Sequence, residues 1–145
     1  MKISGTHTLP FPRERAFEIL QDPEVLARAM PGCDALESIG PGEYRMKLKM
    51  ALAGLASSFD GKIRITDSVP PESFHLTVEG SAKIGFMKGE GTLKLASVDA
   101  GTEVTYDGDA QIGGTMAAVG QRLVDGTSKM MIKQFFQKLA AEAGS

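Results

Sequence analysis

Residues 43–66 read EYRMKLKMALAGLASSFDGKIRIT, and their alternation decides the fold. Tyr44, Met46, Leu48, Met50 and Leu52 fall on one parity, with Glu43, Arg45, Lys47 and Lys49 on the other. After Gly54 the parity resumes, Phe59, Gly61, Ile63 and Ile65 opposing Asp60, Lys62, Arg64 and Thr66. Successive side chains of a strand point to opposite faces, so this stretch is a hairpin with one apolar and one charged face. Antiparallel sheets accept that division, because one face can stay in water.

The pattern extends in both directions. Downstream, Pro70-Pro71 turns the chain, and Phe74, Leu76 and Val78 oppose His75, Thr77 and Glu79. Gly85 and Gly89 read as bracketing the next turn, after which Leu93 and Leu95 continue the apolar face. Asp99-Ala100-Gly101 leads into a last strand with Val104, Tyr106, Ala110 and Ile112 on the apolar parity. Upstream, Gly40-Pro41-Gly42 turns out of a strand that begins near Asp34. Before it lie two short helices. Ala16, Phe17 and Leu20 form the stripe of the first, and Val25, Leu26, Ala29 and Met30 that of the second, which is opened by Asp22-Pro23 and stopped by Pro31-Gly32. Ile3, Gly5, His7 and Leu9 make a first strand.

From about Thr115 to Ala141 the spacing changes to helical. Met116, Val119, Gly120, Leu123, Met130, Met131, Phe135 and Leu139 recur on one side. A helix of that length spans roughly 40 Å, enough to run along the concave face of a curved sheet. The expected fold is α+β: a helix-grip domain over residues 1–145, with a curved seven-stranded antiparallel sheet around a long C-terminal helix. Two short helices separate strands 1 and 2.

Composition limits the chemistry. The 145 residues are 42% hydrophobic and 23% charged, which suits one globular domain without a covalent staple. Cys33 is the single cysteine and there are two histidines, too few for a structural zinc site. A net charge of −2 gives no sign of nucleic-acid binding, and no apolar run approaches the ~20 residues of a membrane span. The expectation is a reduced, cytoplasmic domain without metal or cofactor.

Sheet parity also decides what could be built inside. Every Asp and Glu of the well-patterned strands falls outward, so no inward carboxylate pair is available for acid–base work. Gly54 to Gly61-Lys62-Ile63 has the wrong spacing for a phosphate loop. The inward polar groups are His7, Tyr44 and Tyr106. His7 reads either as a satisfied core histidine or as a hydrogen-bonding partner of a ligand carbonyl, and Tyr106 shares that ambiguity. His75 has outward parity, and Cys33 reads as a small, partly buried residue.

Eight methionines are many for this length. Met46, Met50, Met116 and Met130 project inward by parity or stripe, either filling an irregular core or lining an adaptable cavity. The expected ligand-binding set is His7, Met46, Leu48, Met50, Phe59, Ile63, Leu76, Val78, Leu93, Tyr106, Met116, Val119 and Leu123. Leu52, Leu55, Ile84, Phe86 and Met87, with Lys88 among them, gather at hairpin tips at one end of the sheet. Apolar tips read as a rim for ligand entry, partner or membrane contact, or as tips folded back on the helix. On the wet face Arg45, Lys47, Lys49, Lys62 and Arg64 form a basic stripe, read as solvated.

Four stretches carry a resemblance: LPFPRERAFEILQDPEVLARAMPGC (9–33), FDGKIRI (59–65), GEGTLKL (89–95) and TEVTYDGDAQIGGTMAAVGQRLV (102–124). The chain resembles the carbon monoxide dehydrogenase G-subunit family, within the START/polyketide-cyclase-like (SRPBCC) helix-grip superfamily. Asp22 to Cys33 and Thr102 to Gly114 are the most specific parts, and the likeness runs from Ile3 to about Leu139. It implies a non-catalytic accessory protein of molybdenum hydroxylases of the carbon monoxide dehydrogenase type. Such proteins help place the enzyme at the membrane, where its electrons pass to quinone. Expected partners are therefore an apolar small molecule (quinone or lipid) and the hydroxylase subunits, with peripheral contact at the inner face of the membrane. Two other readings stand beside it. One is a small cyclase or hydrolase with His7 as base and Tyr106 positioning a carbonyl; the other is an assembly chaperone with a filled core.

Overall fold

A computed structural model of the chain describes residues 2–52, 55–118 and 121–142, leaving aside the side chains at 35, 50–52, 55–57, 116 and 121–124. Strand β1 (Lys2–Leu9) is followed by helices α1 (Arg13–Ile19) and α2 (Pro23–Ala29). Six strands come next: β2 (Cys33–Gly40), β3 (Glu43–Leu52), β4 (Leu55–Val69), β5 (Ser73–Ala82), β6 (Gly85–Val98) and β7 (Gly101–Gly113). Helices α3 (Thr115–Ala118) and α4 (Gln121–Ala141) complete the chain. All pairings are antiparallel, and the order across the sheet is β1-β7-β6-β5-β4-β3-β2. This is the helix-grip half-barrel expected from the alternation. The segment read as one helix from Thr115 is described as two, with residues 119 and 120 outside the described set.

Local chemistry accounts for the entry into the sheet. Asp22 caps α2 by accepting from the Glu24 amide at 2.9 Å, with Pro23 in the first turn. Gly32 has φ 75°, and a Cβ there would overlap the Lys49 carbonyl oxygen. Only glycine therefore allows Lys49 N–H to donate to Gly32 O at 2.8 Å, which ties the α2–β2 turn to β3. Tyr44, one of the inward polar groups, donates its hydroxyl to the Gln21 carbonyl at 3.1 Å and so fastens β3 to the α1–α2 turn.

The interior divides into two apolar clusters. The larger joins Leu9, Phe74, Leu93, Leu95 and Val104 of the sheet to α1, α2 and the end of α4, where Phe136 and Leu139 are buried. Phe17 meets Phe74 edge-on at 5.6 Å between centroids. Thr102, fully buried, donates its hydroxyl to the Phe11 carbonyl at 2.7 Å. The smaller cluster holds Tyr44, Met46, Leu48, Phe59 and Ile63 on β3 and β4.

Outward parity is confirmed for the charged positions of the central strands. Arg45 pairs with Glu37 (3.7 Å), Lys49 with Asp34 (3.3 Å) and Arg64 with Glu43 (2.9 Å). In register Lys47 opposes Asp60 and Lys62 opposes Glu79. The basic stripe is thus neutralised by its neighbours, and such exposed pairs add little stability. His75, also outward, lies 3.3 Å from Thr92 Oγ1 and 3.7 Å from Glu90.

Candidate ligand cavity

Between the two clusters, under α4, lies a cavity of about 350 Å³. Its walls explain why the sheet cannot close on the helix. Met46, Leu48, Phe59 and Ile63 rise from β3 and β4, Leu76, Val78 and Leu93 from β5 and β6, and Tyr106 from β7. Met131, Ile132, Phe135 and Phe136 descend from α4.

The floor is made by what is missing. Gly80, Gly89, Gly91 and Gly108 all occupy inward positions on β5, β6 and β7 and all line the cavity. Gly91 stands directly opposite Gly108, and Gly89 opposite Val78 and Ala110. No side chain rises from these positions, so space persists between sheet and helix. Two origins can be separated. A Cβ on Gly108 would overlap the Glu90 carbonyl oxygen, so the backbone itself requires glycine there. A Cβ on Gly89 would meet the Asp109 carbonyl oxygen at 3.6 Å and the Ala110 Cβ at 3.8 Å, ordinary contacts. Gly89 leaves room the backbone does not demand.

The expectation that Gly85 and Gly89 bracket a turn is corrected: β6 starts at Gly85, and Gly89 is well inside it, facing the cavity. Strand-interior glycine marks sites where another group approaches the backbone closely, a signal available from parity alone.

Three hydroxyl-bearing residues, Tyr106, Thr127 and Ser128, are part of the lining, as are Glu79, Glu90 and Asp109 at exposed strand positions beside the glycines. Thr127 and Ser128 escaped the sequence reading, which followed the apolar stripe. Their signal was spacing, since Thr127 precedes Met131 and Phe135, and Ser128 precedes Ile132 and Phe136, by steps of four. The stripe was also displaced at Met130, which is 54% exposed; the adjacent Met131 faces in.

His7 does not reach the cavity wall. Its ring stacks on Phe136 with centroids 4.3 Å apart and planes 13° from parallel, and Tyr106 lies on the same stack, 5.8 Å from His7 and 6.0 Å from Phe136. Tyr106 reaches this position by lying across Gly5, its partner in register, where a Cβ would collide with the phenol. Burial lowers the His7 pKa below its ordinary value of 6.5. Burial also raises that of Tyr106, against the opposing charge of Lys129.

At the rim, Phe86 is 44% exposed, its ring lying over Gly113. Met87 lines the cavity, and Ile84 is half-buried against the smaller cluster, so neither is an outward tip. Leu52, Leu55, Met50, Met116, Val119 and Leu123 lie outside the described side chains. Among the described residues no His, Cys, Asp or Glu group is arranged to hold a metal ion, and no helix is long and apolar enough to cross a membrane.

A family model described as the G subunit of carbon monoxide dehydrogenase (CoxG) matches residues 5–144. The chain belongs to the CoxG family. No curated protein matches it. A conserved protein from Geobacillus kaustophilus is 34% identical, with a TM-score of 0.92 over 98% of this chain and 94% of that one. A protein from Chromobacterium violaceum superposes with a TM-score of 0.70 at 23% identity, covering 97% of this chain and 95% of the other. One from Mycobacterium smegmatis does so at 0.68 and 19%, covering 99% and 90%. The last two likenesses show the fold alone. Family membership makes this CoxG-type chain an accessory protein.

Proposed function

We propose that this CoxG-family chain carries an apolar small molecule, a quinone or lipid, in the cavity beneath α4. In doing so it would help recruit or assemble a molybdenum hydroxylase of the carbon monoxide dehydrogenase type at the membrane. The observation that carries the reading is the cavity of about 350 Å³, open space kept by glycines on an otherwise well-packed sheet. That volume lies in the range of small-molecule sites, and its walls are mostly apolar with a few polar residues, the usual recipe for such a site. Met46, Met87 and Met131 add an adaptable lining suited to a flexible ligand. The exposed Phe86 beside Lys88 supports a rim that touches the bilayer or the partner.

The enzyme reading draws no support from the geometry, since its base, His7, sits behind Phe136. A chaperone with a filled core is disfavoured by the cavity itself. Titration with Nile red, a neutral apolar dye, tests the carrier reading. Saturation at one dye per chain is the expected result, and the absence of saturable binding would count against it.

A further inference from the structure

The polar lining of the cavity carries information about charge as well as hydrogen bonding. Its hydroxyls, on Tyr106, Thr127 and Ser128, are neutral groups that can pair with a carbonyl, ether or hydroxyl. No described residue that lines the cavity is a Lys, Arg or His, whereas Glu79, Glu90 and Asp109 belong to the lining at exposed strand positions beside the glycines. Lys129, the cation next to this end on α4, has a 74% exposed side chain and holds Asp125 at 3.0 Å. Of the lining carboxylates, Glu90 and Asp109 are directly opposed in register, with Lys2 across from Asp109.

Resting on the carrier reading, we infer that the cavity selects neutral apolar ligands over anionic ones, so that esters, ketones and alcohols are accepted and ionised fatty acids refused. An ionised carboxylate inside would lose its hydration with no described cation in the lining to replace it, a far larger cost than burying a neutral polar group that finds a hydroxyl. The protein's own groups at this end respond in the same sense. Burial moves His7 and Tyr106 towards their uncharged forms, one from each side of neutrality. Selectivity therefore comes from desolvation by the aromatic stack and α4, and the carboxylates of Glu79, Glu90 and Asp109 beside the glycine floor act in the same sense.

The test is competition against Nile red bound to the wild-type chain at pH 8, below micellar concentrations. The competitors are 1-dodecanol, methyl dodecanoate and sodium dodecanoate. These match in chain length and differ in charge. The expected result is that the alcohol and the ester displace the dye at concentrations at least tenfold below dodecanoate. Dodecanoate equal to or better than the ester would overturn the inference while leaving the carrier reading intact. An ester as weak as the acid, with only the alcohol active, would also overturn it, since size rather than charge would then decide. Dye that none of the three displaces would overturn both.

Discussion

The imidazole of His7 on β1 lies 4.3 Å from the ring of Phe136 on α4, close to parallel with it. This stack joins the edge strand of the sheet to the helix that roofs the cavity. Because burial lowers the His7 pKa, the unfolded chain takes up a proton that the folded one resists. The stabilising contribution of neutral His7 is thus complete above its unfolded pKa and is lost as pH falls towards the folded value. Thermal melting at pH 7.5 and 5.5 should show a larger loss on acidification for wild type than for His7→Phe. An equal loss in both would place the acid sensitivity elsewhere.

Gly89 offers the cleanest way to fill the cavity. A side chain there starts from ordinary van der Waals contacts and grows into the open space. Gly89→Leu should lower Nile red affinity at least tenfold while leaving the melting temperature unchanged or higher. Val78→Phe, which enlarges a wall residue, should act in the same direction. Gly108→Leu, blocked by the Glu90 carbonyl, should fail to fold, as circular dichroism would report.

How the cavity could be anticipated differs from how the fold could. Strict alternation at 43–66 makes register and sheet face legible, because one slip would turn every charge inward. Parity therefore placed Met46, Leu48, Phe59, Ile63, Leu76, Val78, Leu93 and Tyr106 on the inner face, and each lines the cavity. Alternation says nothing about emptiness. The floor depends on glycines, whose inward parity was masked by their familiar association with turns, as at Gly89. Helical residues were harder still, since a stripe fixes a face only to within one neighbour. Of the two adjacent stripe residues, Met131 lines the cavity and Met130 is exposed, and Thr127 and Ser128 were passed over as polar. His7 had inward parity but met Phe136, a contact between chain ends that no local pattern encodes.

Core truncation should separate packing from binding. Phe74 is 2% exposed and supports Phe17 edge-on, so Phe74→Ala should cost about 3–5 kcal/mol in chemical denaturation. Thr102→Val keeps the shape but deprives the Phe11 carbonyl of its donor, at about 1–3 kcal/mol. Phe74 also lines the cavity, so its truncation should alter dye binding, whereas the Thr102 variant, outside the lining, should bind Nile red like wild type.

The two adjacent rim residues should behave differently. Phe86 is exposed while Met87 lines the cavity. Phe86→Ser should weaken flotation with liposomes or capture of hydroxylase subunits several-fold and leave dye affinity unchanged. Met87→Ser should lower dye affinity several-fold, because it places a hydroxyl where an apolar ligand packs. Identical effects of both on dye binding would remove the distinction between rim and wall.

The most direct measurement is solvent extraction of the protein purified from its own host, with mass spectrometry of the extract and quantification per chain. The account predicts one neutral apolar molecule, a quinone or lipid, approaching one per chain, and much less from Gly89→Leu. An extract without such a molecule, unchanged after incubation with the host's membranes, would contradict the carrier function.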